Sequence, residues 1–391
     1  MKHLKLFIIL FLSVIIFYQC ANSKNKNREN KSFINDSISE TEILKKSEYQ
    51  KIAEFISGIE FFDKLDTSII NQKFWEKYQL KIENDWEEID TSRIKLMKDW
   101  QKSEIQPKIN DTLNLLYPFS GPDFLNANIL FPNANNYIML AMEPLGSIPD
   151  FSTMNENQIQ EYLDVFYFSI HDIFIRSFFQ TKEMKKDLSE KAIHGVLPLI
   201  LYFMVKTNNE ILDISYEKLN STNNFDTITV SDVTEKFSSG ECLLIKFKKY
   251  DKIKTLRYFS CDISDSGLEA NQNLKKYLES FKNYNSYTKS ASYLLHYPHF
   301  SFTRNLLIEN SQSILQDDTG IPYKYFSKNN WETNLYGVYE KPLSLFGDFV
   351  VQKDLSEIYK TDKNISKLPF SLGYHWRTGK QNEMLFVKKV Q

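Results

Sequence analysis

The amino end of this chain limits which residues can take part in a folded domain. Lys2 and Lys5 precede a predominantly apolar, uncharged run of 13 residues, from Leu6 to Tyr18, in which Ser13 is the one small polar residue. Because roughly 20 apolar residues are needed to cross a bilayer as a helix, this run is typical of a cleaved export signal and too short for a membrane span. We therefore assign residues 1–20 to a signal peptide.

The segment that follows the signal, 21–45, is rich in Asn and Lys and poor in apolar residues. A segment of this composition cannot bury enough apolar surface to fold, so we expect a disordered tether. The remaining residues, 46–391, are numerous enough for a substantial core. We predict that they form a single large domain, with possible lobes at 46–207 and 208–391.

Cys20, at the end of the signal, resembles the first residue of mature bacterial lipoproteins, whose thiol takes up a diacylglycerol and which also carry palmitate. Gln19 departs from that family, which has a small residue before the cysteine. The alternative is cleavage after Ser23, where Ala21 and Ser23 supply the small residues that signal peptidase prefers, and this would give a soluble secreted protein. The resemblance implies a membrane-anchored protein of the bacterial cell envelope, either periplasmic or on the cell surface.

The charge and the composition of the chain limit the classes of partner that it can bind. Without Lys2 and Lys5, the chain has 48 − 2 = 46 basic residues against 50 acidic ones, a net charge of −4. This balance gives no general attraction for nucleic acid, so we predict no nucleic-acid partner. Aromatic residues make up 15% of the chain, which fits either a Phe-rich core or an aromatic surface for a glycan. The predicted partners are a membrane, through the lipid anchor, and a glycan or protein ligand.

The two cysteines beyond the tether lie on strand-like segments that predict a hairpin. The segments 241–249 and 254–263 are joined by 250–253, and in that register Cys242 lies opposite Cys261. Facing cysteines on paired strands suit a cross-strand disulfide. The alternative is two separate buried thiols.

Helical and strand-like patterns alternate along the folded part and predict an α+β fold. Apolar residues at helical spacing over 46–65 and 68–101 predict an amino-terminal helical region. Two strongly apolar segments, 158–179 and 188–205, predict central helices. We expect these helices to pack against mixed, largely antiparallel β-structure.

Short turns that carry carboxylates supply the candidate site residues, because a rigid scaffold can present several loops at one rim. The candidates for acid and base chemistry are Glu143, Asp317, Asp318 and His375. The candidates for ligand contact are Asp123, Tyr374, Trp376 and Arg377, with the two aromatic rings as a platform for a sugar. The alternative is a set of unconnected structural turns.

Two fragments imitate catalytic motifs. Asp265 and Asp318 open Asp-Ser-Gly and Asp-Thr-Gly turns that resemble those of aspartic proteases, but only 53 residues separate them, too few for two lobes. Ser286 and Lys289 have the Ser-x-x-Lys spacing of penicillin-binding proteins, in which the lysine activates the serine. Since no Cys or His cluster has metal-ligand spacing and no glycine loop suits a phosphate, we predict no metal and no cofactor.

Four segments, 117–123, 141–146, 289–296 and 373–376, resemble a group of uncharacterised bacterial envelope proteins with a lipoprotein-like signal. The resemblance implies no activity. The sequence thus predicts an exported, lipid-anchored envelope protein with a binding or structural role. The alternative is a periplasmic or surface hydrolase that acts on glycan, peptidoglycan or peptide, and an enzyme is the less favoured of the two.

Overall fold

The computed structural model of the chain describes residues 46–63, 65, 71–110, 112–176, 193–234, 239–343, 351–372 and 382–390. Within these ranges ten strands pair into one mixed sheet. Numbered along the chain, the strands are β1 Leu115–Pro118, β2 Asn136–Ala141, β3 Glu210–Leu219, β4 Phe225–Ile228, β5 Glu241–Lys249, β6 Lys252–Ser260, β7 Tyr284–Thr288, β8 Ser311–Gln316, β9 Trp331–Val338 and β10 Asn382–Lys389. Their order across the sheet is β4-β3-β5-β6-β2-β1-β7-β8-β10-β9.

The middle of the sheet is parallel and its two ends are antiparallel. The four pairings from β6 through β2, β1 and β7 to β8 are all parallel. The five outer pairings are antiparallel. Because the strands from β6 to β8 share one direction, their carboxyl ends all lie at one edge of the sheet.

Helices cover both faces of this sheet. Neighbouring residues of one strand point to opposite faces, and in β1 they enter separate apolar cores: Leu115 and Tyr117 enter one, whereas Leu116 enters the other. The α-helices with described bounds, numbered along the chain, are α1 Glu48–Ile56, α2 Gln72–Ile89, α3 Lys95–Trp100, α4 Phe124–Leu130, α5 Glu156–Arg176, α6 Leu197–Lys206, α7 Asp265–Ala270, α8 Gln272–Ser280, α9 Ser301–Asn310 and α10 Lys353–Thr361. Apolar residues of α1 to α6 enter the first core, and those of α7 to α9 enter the second.

The amino-terminal helical region contains two irregular turns. Helix α2 passes through a π-helical turn, Asp90–Ile94, into α3, and a second π-helical turn, Gln101–Ile105, follows. Single π-helical turns inside α-helices are found frequently at functional sites. Arg93 belongs to the first of these turns, and its guanidinium is directed into the protein.

These features confirm the α+β prediction at the level of helices combined with a large mixed sheet. The expectation of central apolar helices is not supported, because the sheet occupies the centre and α6, although almost completely buried, packs on one of its faces. The sheet is also less antiparallel than expected. Short strands such as β1 are buried on both faces and show no alternation of polar and apolar residues from which a direction could be inferred. Among the described residues, no helix combines the length and apolar character that crossing a bilayer requires.

The cysteine hairpin forms, but in a different register from the predicted one. Strands β5 and β6 are joined by a two-residue turn, Tyr250 and Asp251, whose φ angles are 49° and 60°. Cys242 therefore lies opposite Phe259 and not opposite Cys261. Both cysteines are buried free thiols, which corrects the predicted disulfide: the shorter turn moves Cys261 past the position facing Cys242.

Candidate functional site

The sheet has one point at which its chain connections diverge. From β1 the chain passes through α4 to β2 on one side, whereas from β7 it passes through α9 to β8 on the other. In open sheets of this kind, the crevice outside the carboxyl ends of two such strands is the usual position of a ligand site. The loops that follow β1 and β7 meet at this point.

A buried ion pair joins these two loops. Asp123, which follows β1, and Lys289, which follows β7, approach to 2.9 Å between Oδ2 and Nζ. The Asp123 side chain is 1% exposed and that of Lys289 is 7% exposed. A carboxylate and an ammonium this deeply buried require each other, because an isolated buried charge is strongly unfavourable.

Local contacts fix the position of the Asp123 carboxylate. Asp123 is the N-cap of α4, and its Oδ1 accepts a hydrogen bond of 3.1 Å from the backbone N–H of Asn126. Oδ2 accepts hydrogen bonds from the Tyr117 hydroxyl at 2.8 Å and from the Asn126 side-chain amide at 2.9 Å. The sequence suggests Asp123 as a ligand residue, and the structure places it at the centre of the crevice.

A second cation lies close to this carboxylate. The guanidinium of Arg93, in the first π-helical turn, is buried, and burial lowers its pKa to about 10, while the charge of Asp123 acts in the opposite direction. Two cations therefore flank a single carboxylate at the switch point.

The loops at the crevice are strained. Phe119, after β1, has a φ of 59°, and Ser292 and Tyr293, after β7, have φ angles of 59° and 53°. Left-handed backbone angles are unfavourable for side chains of this size, and such residues concentrate at binding and catalytic sites. The strain lies beside the two strands that define the switch point.

A set of three acidic side chains lies at the end of β8, the next strand along the edge. Asp317 and Asp318 follow β8, and Glu383 lies at the start of β10 beside them. The backbone N–H of Asp318 donates to Glu383 Oε1 at 2.7 Å, and the Tyr293 hydroxyl donates to Asp318 Oδ2 at 2.7 Å. Burial raises the pKa of Glu383 well above its ordinary value of 4.5, and the negative charges of Asp318 and Asp317 raise it further.

A hydrogen bond connects the loop that carries Lys289 with the loop that carries the acidic residues after β8. The backbone N–H of Ser290, in the loop after β7, donates to Thr319 Oγ1, in the loop after β8, at 2.8 Å. We use the name carboxyl-edge cluster for Asp123, Lys289, Asp317, Asp318 and Glu383. The cluster brings together residues from four strand ends that are far apart in the sequence.

Three buried polar atoms have no hydrogen-bond partner among the described residues: one is on Lys289 itself, one on Asn126, which contacts Asp123, and one on Thr288, which precedes Lys289 in the chain. They are Lys289 Nζ, which makes the 2.9 Å ion pair without a well-directed hydrogen bond, Asn126 Oδ1 and Thr288 Oγ1. All three residues are buried. Because buried polar atoms in native proteins are nearly always bonded to protein or to another molecule, such a group requires an explanation.

Glu143 lies at the same edge, in the loop that follows β2. The loop is fixed by backbone hydrogen bonds between 144–147 and 194–197. Gly146 and Gly195 cross at that contact: a Cβ on Gly195 would lie 2.2 Å from the Cα of Gly146, so neither position accepts a side chain. Glu143 itself is 3% exposed, and its backbone carbonyl accepts a hydrogen bond from the Tyr258 hydroxyl at 3.2 Å.

The structure thus places Asp123, Asp317, Asp318 and Glu143 at one edge of the sheet. His375, Tyr374, Trp376, Arg377 and Cys20 lie outside the described residues, so their proposed roles stay predictions. Among the described residues, no group of three or more His, Cys, Asp or Glu side chains is arranged to hold a metal ion.

The Ser-x-x-Lys spacing does not form a catalytic pair. Ser286 lies inside β7, and its hydroxyl exchanges a 2.8 Å hydrogen bond with that of Ser311 on β8. In a strand, residues three apart point to opposite faces, so Lys289 is directed away from Ser286 and pairs with Asp123.

Sequence reasoning missed Arg93 and Glu383, and it gave Lys289 the wrong partner. Arg93 lies in a helix whose pattern is otherwise amphipathic, and Glu383 precedes the apolar run of β10. The one available signal was Glu383 itself, a charged residue directly before the buried apolar run 384–387.

Comparisons with protein-family models, with curated proteins and with solved structures found no match to this chain.

Proposed function

We propose that the folded domain binds a polar ligand at the carboxyl edge of its sheet. The observation that carries this proposal is the set of three buried, unpartnered polar atoms on Lys289, Asn126 and Thr288, at the two strand ends that the Asp123 and Lys289 pair joins. A purely structural ion pair gains nothing from unsatisfied donors and acceptors beside it, since each lowers stability. A ligand with both donor and acceptor groups would satisfy all three.

The chemistry of the edge supports a ligand rich in hydroxyl or amine groups. Acidic side chains are numerous there, since Glu143 and the three acidic residues near β8 and β10 accompany Asp123, beside the cations Lys289 and Arg93. Carboxylates accept hydrogen bonds from hydroxyl and amine donors, and such charge-assisted bonds are the stronger kind. Glycans and peptidoglycan fragments carry many of these donors.

The binding test replaces an unpartnered hydroxyl with a methyl group. We expect Thr288→Val to fold at least as stably as the wild type, because its hydroxyl makes no hydrogen bond to lose. The probes are muropeptides released from peptidoglycan and oligosaccharides of N-acetylglucosamine. We expect a muropeptide or oligosaccharide to raise the melting temperature of the wild type and to bind Thr288→Val at least about tenfold more weakly, a loss of about 1.4 kcal/mol.

A matched control is Ser57→Ala, which removes another buried, unpartnered hydroxyl, at the end of α1 and away from the edge. This variant should bind as the wild type does. Equal binding by Thr288→Val, or no binding of either probe class to the wild type, would show that the edge does not hold such a ligand.

A hydrolase is the second candidate function, and one observation favours it. Burial and the nearby charges of Asp318 and Asp317 raise the pKa of Glu383, which favours its protonated form beside the Asp318 carboxylate, the arrangement that general acid and base catalysis uses. If the protein is a hydrolase, incubation with muropeptides or oligosaccharides releases new reducing ends or new amines. Glu383→Gln, which keeps the shape and removes the transferable proton, would then lose that release.

We also propose that the protein is exported and anchored to the bacterial envelope through Cys20. Support comes from the short apolar run that ends at this cysteine and from the polar segment that follows it. We expect labelled palmitate to be incorporated into the wild type and not into Cys20→Ala, and we expect the variant to leave the membrane fraction. Membrane association of an unlabelled wild type would indicate an uncleaved signal, and release of the wild type into the medium would indicate cleavage after Ser23.

A further inference from the structure

A groove runs along the outer side of β9, the strand at one end of the sheet. Its volume is about 610 Å³. Its inner wall is β9 itself, and its outer wall is formed by α10 and the segment 362–366. We call it the β9 groove.

The backbone of β9 presents unused hydrogen-bonding groups to this groove. The Val390 N–H bonds to the Asn330 carbonyl, so the even-numbered residues of β9 use their backbone groups to pair with β10. The odd-numbered residues then direct their N–H and C=O groups outward. Gly337 confirms the direction, since its N–H donates to the Ser366 carbonyl at 2.8 Å across the outer side.

Among the described residues, the backbone groups on this outer side without a backbone partner are the N–H and C=O of Thr333 and the N–H of Leu335, because the Leu335 carbonyl belongs to the parallel bridge between Tyr336 and Ser366. They lie between Trp331, whose N–H bonds to the Ser327 carbonyl, and Gly337. From Trp331 to Leu335 the strand spans about 13 Å, the length of a short extended segment. Three backbone groups, two donors and one acceptor, are thus available at strand spacing.

We propose that the β9 groove binds an extended peptide segment as an additional strand of the sheet. Addition of a peptide strand to an exposed sheet edge is a general mode of peptide recognition, in which backbone hydrogen bonds supply affinity. The outer wall leaves room for one chain and keeps a second copy of the whole sheet edge away. The open edge is therefore shielded from aggregation and still accessible to a single strand.

The side chains of the groove favour a peptide that carries little net charge. Two basic and two acidic residues line it, namely Lys108, Lys328, Glu104 and Asp362. The side-chain amide nitrogen of Asn334, another lining residue, is buried and has no hydrogen-bond partner among the described residues. It can donate to a carbonyl of the bound segment.

A sugar is a poorer occupant of this groove. Stacking on a sugar requires an exposed aromatic face, but Trp331 is 4% exposed and Tyr336 is 2% exposed. The Tyr336 hydroxyl is also occupied, since it accepts from Lys108 at 2.7 Å and donates to Glu104 at 3.2 Å. The groove therefore presents backbone hydrogen-bonding groups to a ligand, whereas the faces of these two rings are covered.

The decisive variant is Thr333→Pro. Proline removes the outward N–H, which the sheet does not use, and proline is tolerated on the open side of an edge strand. Thr333→Ala is the matched control, because it removes the same side chain and keeps the N–H. A heptapeptide library displayed on phage is selected on the full chain, and the recovered peptides are synthesised and measured by fluorescence polarisation.

We expect the selected peptides to bind the wild type and Thr333→Ala alike, and to bind Thr333→Pro at least about tenfold more weakly. In the wild type they should also slow hydrogen exchange at the Thr333 and Leu335 amides, a readout that does not depend on how the proline variant folds. Equal affinity for Thr333→Pro, unchanged exchange at these two amides, or recovery of no binding peptide would each overturn the proposal. Protection of the groove by an N-acetylglucosamine oligosaccharide in place of a peptide would overturn it as well.

Discussion

Asp123→Ala is expected to lower the free energy of unfolding by about 3–5 kcal/mol, the usual effect of removing one member of a buried ion pair. The substitution leaves the buried Lys289 ammonium without its carboxylate, and it removes the negative charge nearest to Arg93. It also removes the N-cap of α4, which adds to the loss. Urea unfolding followed by tryptophan fluorescence measures the change.

Lys289→Met should be less destabilising than Asp123→Ala. The Asp123 carboxylate keeps its hydrogen bonds from Tyr117 and Asn126 when the lysine is absent, whereas Lys289 has no second carboxylate at this distance among the described ion pairs. The double variant of Asp123→Ala and Lys289→Met should lose less free energy of unfolding than the two single variants lose together. The charged residue that each single variant leaves unpaired is absent from the double variant.

A partly exposed ion pair provides the control for these variants. Lys246 and Asp213 lie 3.2 Å apart on the sheet, and about half of each side chain is exposed. Asp213→Ala should change stability by about 1 kcal/mol or less, because solvent screens the pair. A similarly small loss for Asp123→Ala would mean that Asp123 and Lys289 are not buried together as the structure places them.

The stability of the protein should fall as pH rises, in part because of Glu383. Its pKa in the folded protein lies well above 4.5, the ordinary value that applies to the unfolded chain. Between these two pKa values the folded state holds a proton that the unfolded state has released, so the stabilisation is complete below about 4.5 and is lost as pH rises toward the folded pKa. One such proton contributes a slope of at most about 1.4 kcal/mol per pH unit.

Glu383→Gln should remove this part of the slope. Glutamine has the shape of the protonated acid and does not titrate. The free energy of unfolding of Glu383→Gln, relative to that of the wild type, should therefore increase as pH rises from about 5 to 8. Denaturant unfolding at several pH values measures the difference. Glu332→Gln, an exposed change on the neighbouring strand β9, should leave the slope unaltered. Parallel slopes for Glu383→Gln and the wild type would show that Glu383 is ionised in the folded protein.

Local features of the structure follow closely from local features of the sequence. Strand β5 has the bounds predicted for it, because the continuous apolar run 242–245 within 241–249 suits a largely buried strand. The amino-terminal helices predicted over 46–65 and 68–101 also form, with irregular turns at 90–94 and 101–105 that helical spacing does not reveal.

The register of the β5–β6 hairpin is a feature that the local sequence does not predict. The sequence identifies both strands, but their register depends on the turn, and a two-residue turn with two left-handed residues is typical of Asn-Gly and not of Tyr250 and Asp251. The observed turn is two residues shorter than the predicted one, and this difference places Phe259 opposite Cys242. Packing against β3 and β2 on either side decides the register, and those contacts are far apart in the sequence.

The sequence by itself determined the α+β class, many of the helices and strands, and four acidic residues that belong to one edge, while the export signal and the tether stay predictions. Only the tertiary structure decided that Asp123 meets Lys289 and that Glu383 meets Asp318. The reason is topological: these residues come from strand ends separated by up to 260 positions, counted from 123 to 383, and the order of strands in the sheet makes them neighbours. Periodicity records which face a residue occupies, but it carries no information about which strand lies beside it.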